Sequence, residues 1–303
     1  APPAYVGEYG GEIDNWMYPR HTGDFALLRA YVGKDQSVKE FNKENIPYKS
    51  KSFLKISAKG VSDGDFVMVL GYPGRTNRLL TFNEINWDLT TGFEESIKYL
   101  QRGIKLIDDH TNEADGSKLK YRGRKSGFEN YYKKISGQNN GAKNFNLLEI
   151  EKENWEQFLK FANSNGSKIE LSLLEELLDL IDESLDENLA RRYYGNSTLI
   201  SMAQRIYRNA VEQGKPDQER KQGYQERDQE RIRNGIKRMD YSFDSRVDKA
   251  IFLDRLSTYS NFDAKLRRPD YSKNLLLDDD FELTKKKVSE LYSSEFTTAD
   301  AMM

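Results

Sequence analysis

The sequence predicts an α+β protein with a strand-rich first part, residues 1–82, and a larger all-α second part, residues 83–303. Short apolar runs bounded by Gly, Pro and Asp turns are typical of strands, and the first part holds Phe25–Val32, Phe53–Ser57 and Phe66–Leu70. From about Asn83 onward the apolar residues recur at helical spacing instead. A chain of 303 residues is long for one domain, so two units are expected.

The first part opens with the run Gly10–Asp24, which is dense in Gly, Trp, Pro, His and Asp. It places Asp24 directly before the apolar stretch Phe25–Val32. An aspartate at the start of a buried strand is what a serine-peptidase triad requires, because it accepts the imidazole N–H of the catalytic histidine. The alternative is that Gly23 and Asp24 only close a turn, since both residue types favour turns. Taken by itself, this run favours the turn.

The next segment, Gly60–Gly74, favours the triad interpretation of Asp24 over the turn. It has a polar turn, an apolar strand and a Gly/Pro turn in that order. Following a strand that starts with Asp, this order looks like the passage from the first to the second barrel of trypsin-like proteases. Gly10–Phe25 together with Gly71–Arg78 resembles the bacterial dipeptidyl-peptidase family that includes dipeptidyl-peptidases seven and eleven.

The resemblance implies a fold and a site. Residues 1–82 would be the junction of a trypsin-like double β-barrel, and residues 83–303 an inserted helical domain. The family's His-Thr-Gly-Asp aspartate, the triad acid, falls on Asp24, and its Asn-Trp pair, which binds the free amino terminus of the substrate, falls on Asn15 and Trp16. Members release dipeptides from the amino end of peptides, and no cofactor is implied. Glu12 and Tyr18 differ from the residues most often found at these positions in the family. The assignment of Asn15 and Trp16 is unaffected, but the resemblance does not define the fine shape of the substrate subsite.

The rest of the triad is expected outside this chain. The resemblance places the catalytic histidine before residue 1 and the nucleophilic serine after residue 303, so an internal fragment without activity is predicted. His21 lies too near Asp24 to be its partner, and His110 is predicted to be a surface residue. Gly195–Thr198 imitates the start of the family's serine motif, but Leu and Ile follow it, so Ser197 is predicted to cap a helix.

Several helices are predicted in the second part. One follows Ser197 and ends at Gly214 and Pro216, and a second starts at a capping box at Ser172. The apolar face of the helix after Ser197 is formed by Leu199, Met202, Ala203, Ile206, Tyr207, Ala210 and Val211. The face of the helix at Ser172 is formed by Leu174, Leu177, Leu178, Ile181 and Leu185. A further helix is predicted from the face Val247, Ile251, Phe252 and Leu256.

Charge argues against several classes of function. The formal net charge is −2, so no overall field would attract nucleic acid or an anionic membrane. Glu212–Asp240 holds eight Lys or Arg and seven Asp or Glu, an interleaving that predicts a solvated helix with ion pairs rather than an RNA-binding surface. The acidic clusters Asp278–Asp280 and Asp179, Asp182 and Glu183 lack the glycine and ligand spacing of a calcium loop, so no metal site is predicted.

Location and partners follow from the resemblance alone. The chain has no cysteine and nothing like a signal peptide or membrane span. The family implies a periplasmic or cell-surface enzyme, peptide substrates with a free amino terminus, and a homodimer in the intact enzyme. The competing hypothesis is a noncatalytic helical module that binds peptides or proteins and carries a degenerate barrel remnant. The parent reading frame would distinguish them, through an upstream histidine and a downstream Gly-x-Ser-Gly-x-Pro.

Overall fold

The structure, a computed structural model, describes residues 19, 27–68, 70–72, 80–164, 171–194, 197–262 and 281–293. The chain divides into two compact units, Ala1–Arg78 and Leu79–Met303. The helices of the second unit account for most of the described residues.

The first unit contains a two-stranded antiparallel ladder. Strand β1 is Tyr31–Val32 and strand β2 is Ile46–Pro47, with Tyr31 opposite Pro47 and Val32 opposite Ile46. After β1 the chain turns sharply, and the Gln36 N–H donates to the Gly33 carbonyl at 2.8 Å.

The other predicted strands do not form a ladder in the described part of this unit. Phe53–Ser57 and the described residues of Phe66–Leu70 lie outside β1 and β2, and the side chains of Phe53 and Phe66 are 80% and 91% exposed. A strand is stable only when a neighbour satisfies its backbone groups and covers its apolar face. The sequence pattern of strands is present here, and the described residues provide no partner strands for these two runs.

The second unit is helical throughout its described part. Its α-helices in chain order are α1 (Phe82–Trp87), α2 (Phe93–His110), α3 (Ser117–Asn144), α4 (Leu147–Ser164), α5 (Leu171–Tyr194), α6 (Thr198–Gln213), α7 (Gln229–Lys237), α8 (Met239–Ser242), α9 (Ser245–Ser260) and α10 (Phe281–Tyr292). A π-helical turn, Asp88–Gly92, joins α1 to α2. Helix α5 includes Leu171, so Ser172 lies inside the helix and the predicted cap there is wrong.

Helix α9 lies at the centre of the helical core. Its residues Val247, Ile251 and Leu256 are fully buried and Phe252 is 2% exposed, which confirms the predicted apolar face. Around it pack α2, α5 and α10. A helix that is buried on nearly every side is held by packing rather than by its own propensity.

The structure confirms the predicted start and end of α6, but only part of its predicted apolar face is covered. Ser197 caps its start and Gly214 follows its last residue. The side of α6 that carries Met202 and Ile206 packs on α7. Tyr207, by contrast, is 74% exposed, so the predicted face extends further round the helix than its partners do.

The segment Glu212–Asp240 is not one solvated helix, and that prediction is wrong. Pro216 cannot supply a helical N–H, and Gly223 has a φ of 94°, so the chain turns between α6 and α7 through two short 3₁₀ turns. The predicted ion pairs are present within this loop. Arg220, for example, contacts Asp217 at 3.3 Å. The buried Glu212 also accepts the Lys221 N–H at 2.9 Å, which lowers the pKa of its carboxyl.

Candidate functional site

The residues predicted to act on substrate lie outside the described residues. These are Asp24, Asn15 and Trp16. His21, predicted to have a structural rather than a catalytic role, also lies outside them. Apart from Pro19, the described chain begins at Leu27, and the roles of these residues therefore stay predictions.

The most elaborate polar site in the described residues surrounds Asp248 on α9. Its side chain is fully buried, as are the nearby apolar side chains of Val247 and Ile251 on the same helix. The two carboxylate oxygens accept the backbone N–H groups of Thr198 and Leu199, at 3.0 and 3.2 Å. Asp248 therefore satisfies the open N–H groups at the start of α6 and complements the positive end of that helix.

Three more side chains contact the Asp248 carboxylate, those of Ser197, Tyr292 and Arg124. We call these four residues the Asp248 cluster. The Ser197 hydroxyl donates to Asp248 at 3.0 Å, and the Tyr292 hydroxyl donates to the same oxygen at 2.6 Å. A guanidinium N–H of Arg124 lies 3.4 Å from the other oxygen. The cluster thus joins α3, α6, α9 and α10 around one buried charge.

The electrostatics of the cluster keep its tyrosine neutral. Burial raises the pKa of the Tyr292 hydroxyl, and the nearby Asp248 charge raises it further. Tyr292 can therefore donate a proton in a hydrogen bond to Asp248, but it is not available as a base at neutral pH.

Ser197 has no means of acting as a nucleophile. It is 2% exposed, its hydroxyl proton points to a carboxylate, and its oxygen accepts the Ile200 N–H at 3.1 Å. A serine nucleophile needs a base such as histidine beside it. His110 is exposed at the end of α2, with Nδ1 3.0 Å from the Leu106 carbonyl oxygen. The predictions of a capping serine and a surface histidine are both confirmed.

Sequence reasoning missed Asp248 although a signal was present. An acid beside Val247, Ile251 and Phe252 interrupts an apolar helical face. A charge in that position has to be exposed at the edge of the face or paired in the core. Only the structure shows which, because its partners lie about 50 and 44 residues away in sequence.

A second buried charge, Arg255, lies about two turns further along α9. Its guanidinium is fully buried, donates to the Tyr99 carbonyl at 2.9 Å and stacks 3.6 Å from the Tyr99 ring centre. Burial lowers the pKa of this group. The Asp254 carboxylate lies 3.6 Å away and also pairs with Arg102. This set holds α2 against α9, and its central Arg255 is closed to solvent.

Comparison with known proteins defines the family. The family model described as Peptidase S46 matches residues 1–302, so the chain belongs to that family. This confirms the resemblance to dipeptidyl-peptidases seven and eleven.

Two relatives and one solved structure show the extent of the similarity. The chain is 38% identical over 310 residues to the Asp/Glu-specific dipeptidyl-peptidase of Shewanella putrefaciens. This alignment covers 99% of this chain and 41% of that protein. It is 34% identical over 186 residues to dipeptidyl-peptidase 7 of Phocaeicola vulgatus. That alignment covers 61% of this chain and 26% of the relative. The crystal structure of Porphyromonas endodontalis DPP11 with the dipeptide Arg-Glu matches with a TM-score of 0.63 at 24% identity.

That structural match shows a shared fold. It covers 98% of this chain but 43% of the DPP11 chain. The chain therefore spans about two fifths of the length of these two full-coverage relatives. In the described residues, no helix is both long and apolar enough to cross a membrane.

Proposed function

We propose that this chain is an internal part of a serine dipeptidyl peptidase that releases dipeptides from the free amino terminus of peptides. The observation that carries the proposal is the family match over residues 1–302, with dipeptidyl-peptidases among the relatives. The mechanism of the whole enzyme is acyl transfer. A serine attacks the second peptide carbonyl, a histidine moves the proton, and Asp24 orients that histidine.

In this proposal Asn15 and Trp16 hold the substrate ammonium group. That contact sets the distance from the amino terminus to the reacting carbonyl, which explains the release of two residues at a time. The substrates are peptides with a free amino terminus, the location is the periplasm or cell surface, and the enzyme acts as a homodimer.

The first unit supplies part of a trypsin-like double β-barrel in this proposal. Its described apolar side chains support the idea, because Phe53, Ile56 and Phe66 are 80%, 96% and 91% exposed and suit burial against further strands. The strands that complete the barrel, with the histidine and the serine, belong to the rest of the parent protein. The isolated chain is then inactive.

The central experiment replaces Asp24 in the full-length parent enzyme. Asp24→Asn should lower kcat by about four orders of magnitude, because the histidine loses the acceptor that fixes its tautomer. Asp63→Asn, at an exposed turn outside the run Gly10–Asp24, is the matched control and should keep near-normal turnover. Near-normal activity of the Asp24 variant would remove this residue from the triad, and no peptidase activity in the unchanged parent would favour the noncatalytic helical module.

Two further measurements test the remaining roles. Asn15→Ala should raise KM for peptides with a free amino terminus, and an equal change for acetylated peptides would contradict ammonium binding. A fluorophosphonate probe should leave the isolated 303-residue chain unlabelled. Labelling of the isolated chain would show that a reactive serine lies within it.

A further inference from the structure

A cavity between α3 and α6 has walls rich in hydrogen-bond donors. It measures about 420 Å³ and is shallow, with much of its volume open to solvent. Its lining residues are Arg124, Ser197, Thr198, Ser201, Met202 and Arg205. Met202 has no donor, and the Ser197 hydroxyl already donates to Asp248. The other four side chains can each donate a hydrogen bond.

The backbone at the start of α6 does not contribute to this cavity. The N–H groups of Thr198 and Leu199 are bound by Asp248, and the Ile200 N–H is bound by Ser197. The helix end is therefore already occupied, and any ligand in the cavity would have to be held by side chains.

The two arginines of the cavity differ in how their charges are balanced. Arg124 donates to the Thr198 hydroxyl at 3.2 Å and lies beside the buried Asp248 carboxylate. Arg205 has no hydrogen bond or ion pair with any residue that the structure describes. Its guanidinium is partly buried beside Gly235 of α7, where an added Cβ would lie 3.2 Å from Nη1. Arg205 thus lines the cavity and carries a positive charge that no described residue pairs with, and its guanidinium lies where α6 meets α7.

We infer that this cavity binds a carboxylate group. A guanidinium offers a planar pair of N–H donors that matches the two oxygens of a carboxylate, and the Ser201 hydroxyl adds a further donor on the same helix. One uncompensated positive charge suits a ligand group with one negative charge. The site goes beyond the proposed peptidase centre, since all of its residues belong to the helical unit and none is assigned to catalysis.

Carboxylates reach such a site from two sources, a peptide carboxylate or a small free acid. The 303-residue chain with ¹⁵N-labelled arginine side chains would be titrated at constant ionic strength with acetate, with N-acetyl-triglycine and with N-acetyl-triglycine amide. The Arg205 Nε–H signal should shift saturably with both carboxylates and stay unchanged with the amide. Tighter binding of N-acetyl-triglycine than of acetate identifies a peptide carboxylate as the source, and equal binding identifies a free acid.

Variants separate a site from a general charge effect. Arg205→Gln should weaken carboxylate binding at least about tenfold, as expected for the loss of one charge-assisted hydrogen bond. Arg208→Gln removes the same charge from an exposed position on α6 that does not line the cavity, and it should bind as the unchanged chain does. Circular dichroism would confirm that both variants are folded. The inference is overturned if the carboxylates cause no saturable shift, if the amide binds equally well, or if both variants weaken binding alike.

Discussion

A single buried carboxylate organises several helices of the helical unit. Asp248 accepts hydrogen bonds from the start of α6, from Tyr292 at the end of α10 and from Ser197. A buried charge is tolerated only where hydrogen bonds and an opposite charge replace water, and here Arg124 supplies the opposite charge. The cluster therefore fixes the relative positions of α6, α9 and α10.

Replacing this carboxylate should be strongly destabilising. Asp248→Asn places an amide where donors converge and leaves Arg124 without its counter-charge, so the free energy of unfolding should fall by about 3–5 kcal/mol. Tyr292→Phe keeps the ring but removes a hydroxyl that donates to the Asp248 carboxylate and lies 2.8 Å from the Ser197 hydroxyl, so it should cost about 1.5–3 kcal/mol. Urea denaturation followed by circular dichroism measures both. Equal small losses in the two variants would show that the charge does not hold the helices together.

A second residue-scale prediction concerns pH. The Asp35 carboxylate accepts hydrogen bonds from the Ser37 hydroxyl at 2.7 Å and from the Ser37 N–H at 3.2 Å, and Lys39 lies 3.1 Å away. The Ser37 hydroxyl first, and then Lys39, lower the pKa of Asp35 to about 2. Because the folded pKa is lower than the unfolded one, this turn is stabilised above about pH 4 and loses that stabilisation as the pH falls towards 2.

Carbonyl ¹³C NMR of the aspartate side chains would test it. Ser37→Ala should raise the pKa of Asp35 towards its ordinary value, whereas Ser57→Ala, whose hydroxyl accepts only the Lys59 N–H, should leave it unchanged. An Asp35 pKa that stays near its ordinary value in the unchanged chain would contradict the geometry of this turn.

At the scale of elements, the helical glycines fall into two kinds. A Cβ at Gly103 of α2 would lie 2.6 Å from the Phe128 ring and 2.9 Å from the Arg255 guanidinium. A Cβ at Gly137 of α3 would meet nothing within 4 Å. Gly103 is therefore required by close packing of α2 against α3 and α9, while Gly137 only lowers the helix propensity of α3.

Alanine substitutions should have opposite effects at these two positions. Gly103→Ala forces Phe128 and Arg255 apart and should lower the free energy of unfolding by about 1–3 kcal/mol. Gly137→Ala should raise it by about 0.5–1 kcal/mol through helix propensity. Thermal and urea denaturation would measure both. A stabilising Gly103→Ala would mean that α2 does not pack as closely as described.

The sequence predicted helices well where one helix had one apolar face. Val247, Ile251, Phe252 and Leu256 met this condition, and Ser197 had a capping geometry that depends only on nearby residues. Tyr207 failed because the pattern shows which residues are apolar, not how many helices are available to cover them. Asp248 was missed because its partners are distant in sequence, and distant contacts leave no local periodicity.

At the scale of the whole molecule, the two units differ in how much core they contain. The helical unit buries large side chains from α2, α5, α9 and α10 in one cluster. In the described residues of the first unit, Val32 is the one large apolar side chain that is buried. Apolar side chains that are exposed in these described residues indicate a surface that further polypeptide covers. On the proposed function, that polypeptide is the remainder of the parent enzyme.

Hydrogen exchange should reveal this difference. In the isolated chain, amides of residues 51–68 should exchange almost as fast as in an unfolded peptide, because the described residues offer them no strand partner. Amides of α9 should be slow. In the full-length parent enzyme, residues 51–68 should slow by about 100-fold or more, since completed sheets bury their backbone groups. The amides of α9 serve as the internal control and should change little. If residues 51–68 were equally slow in the isolated chain, the first unit would fold without further strands, and the proposed role as part of a larger barrel would be wrong.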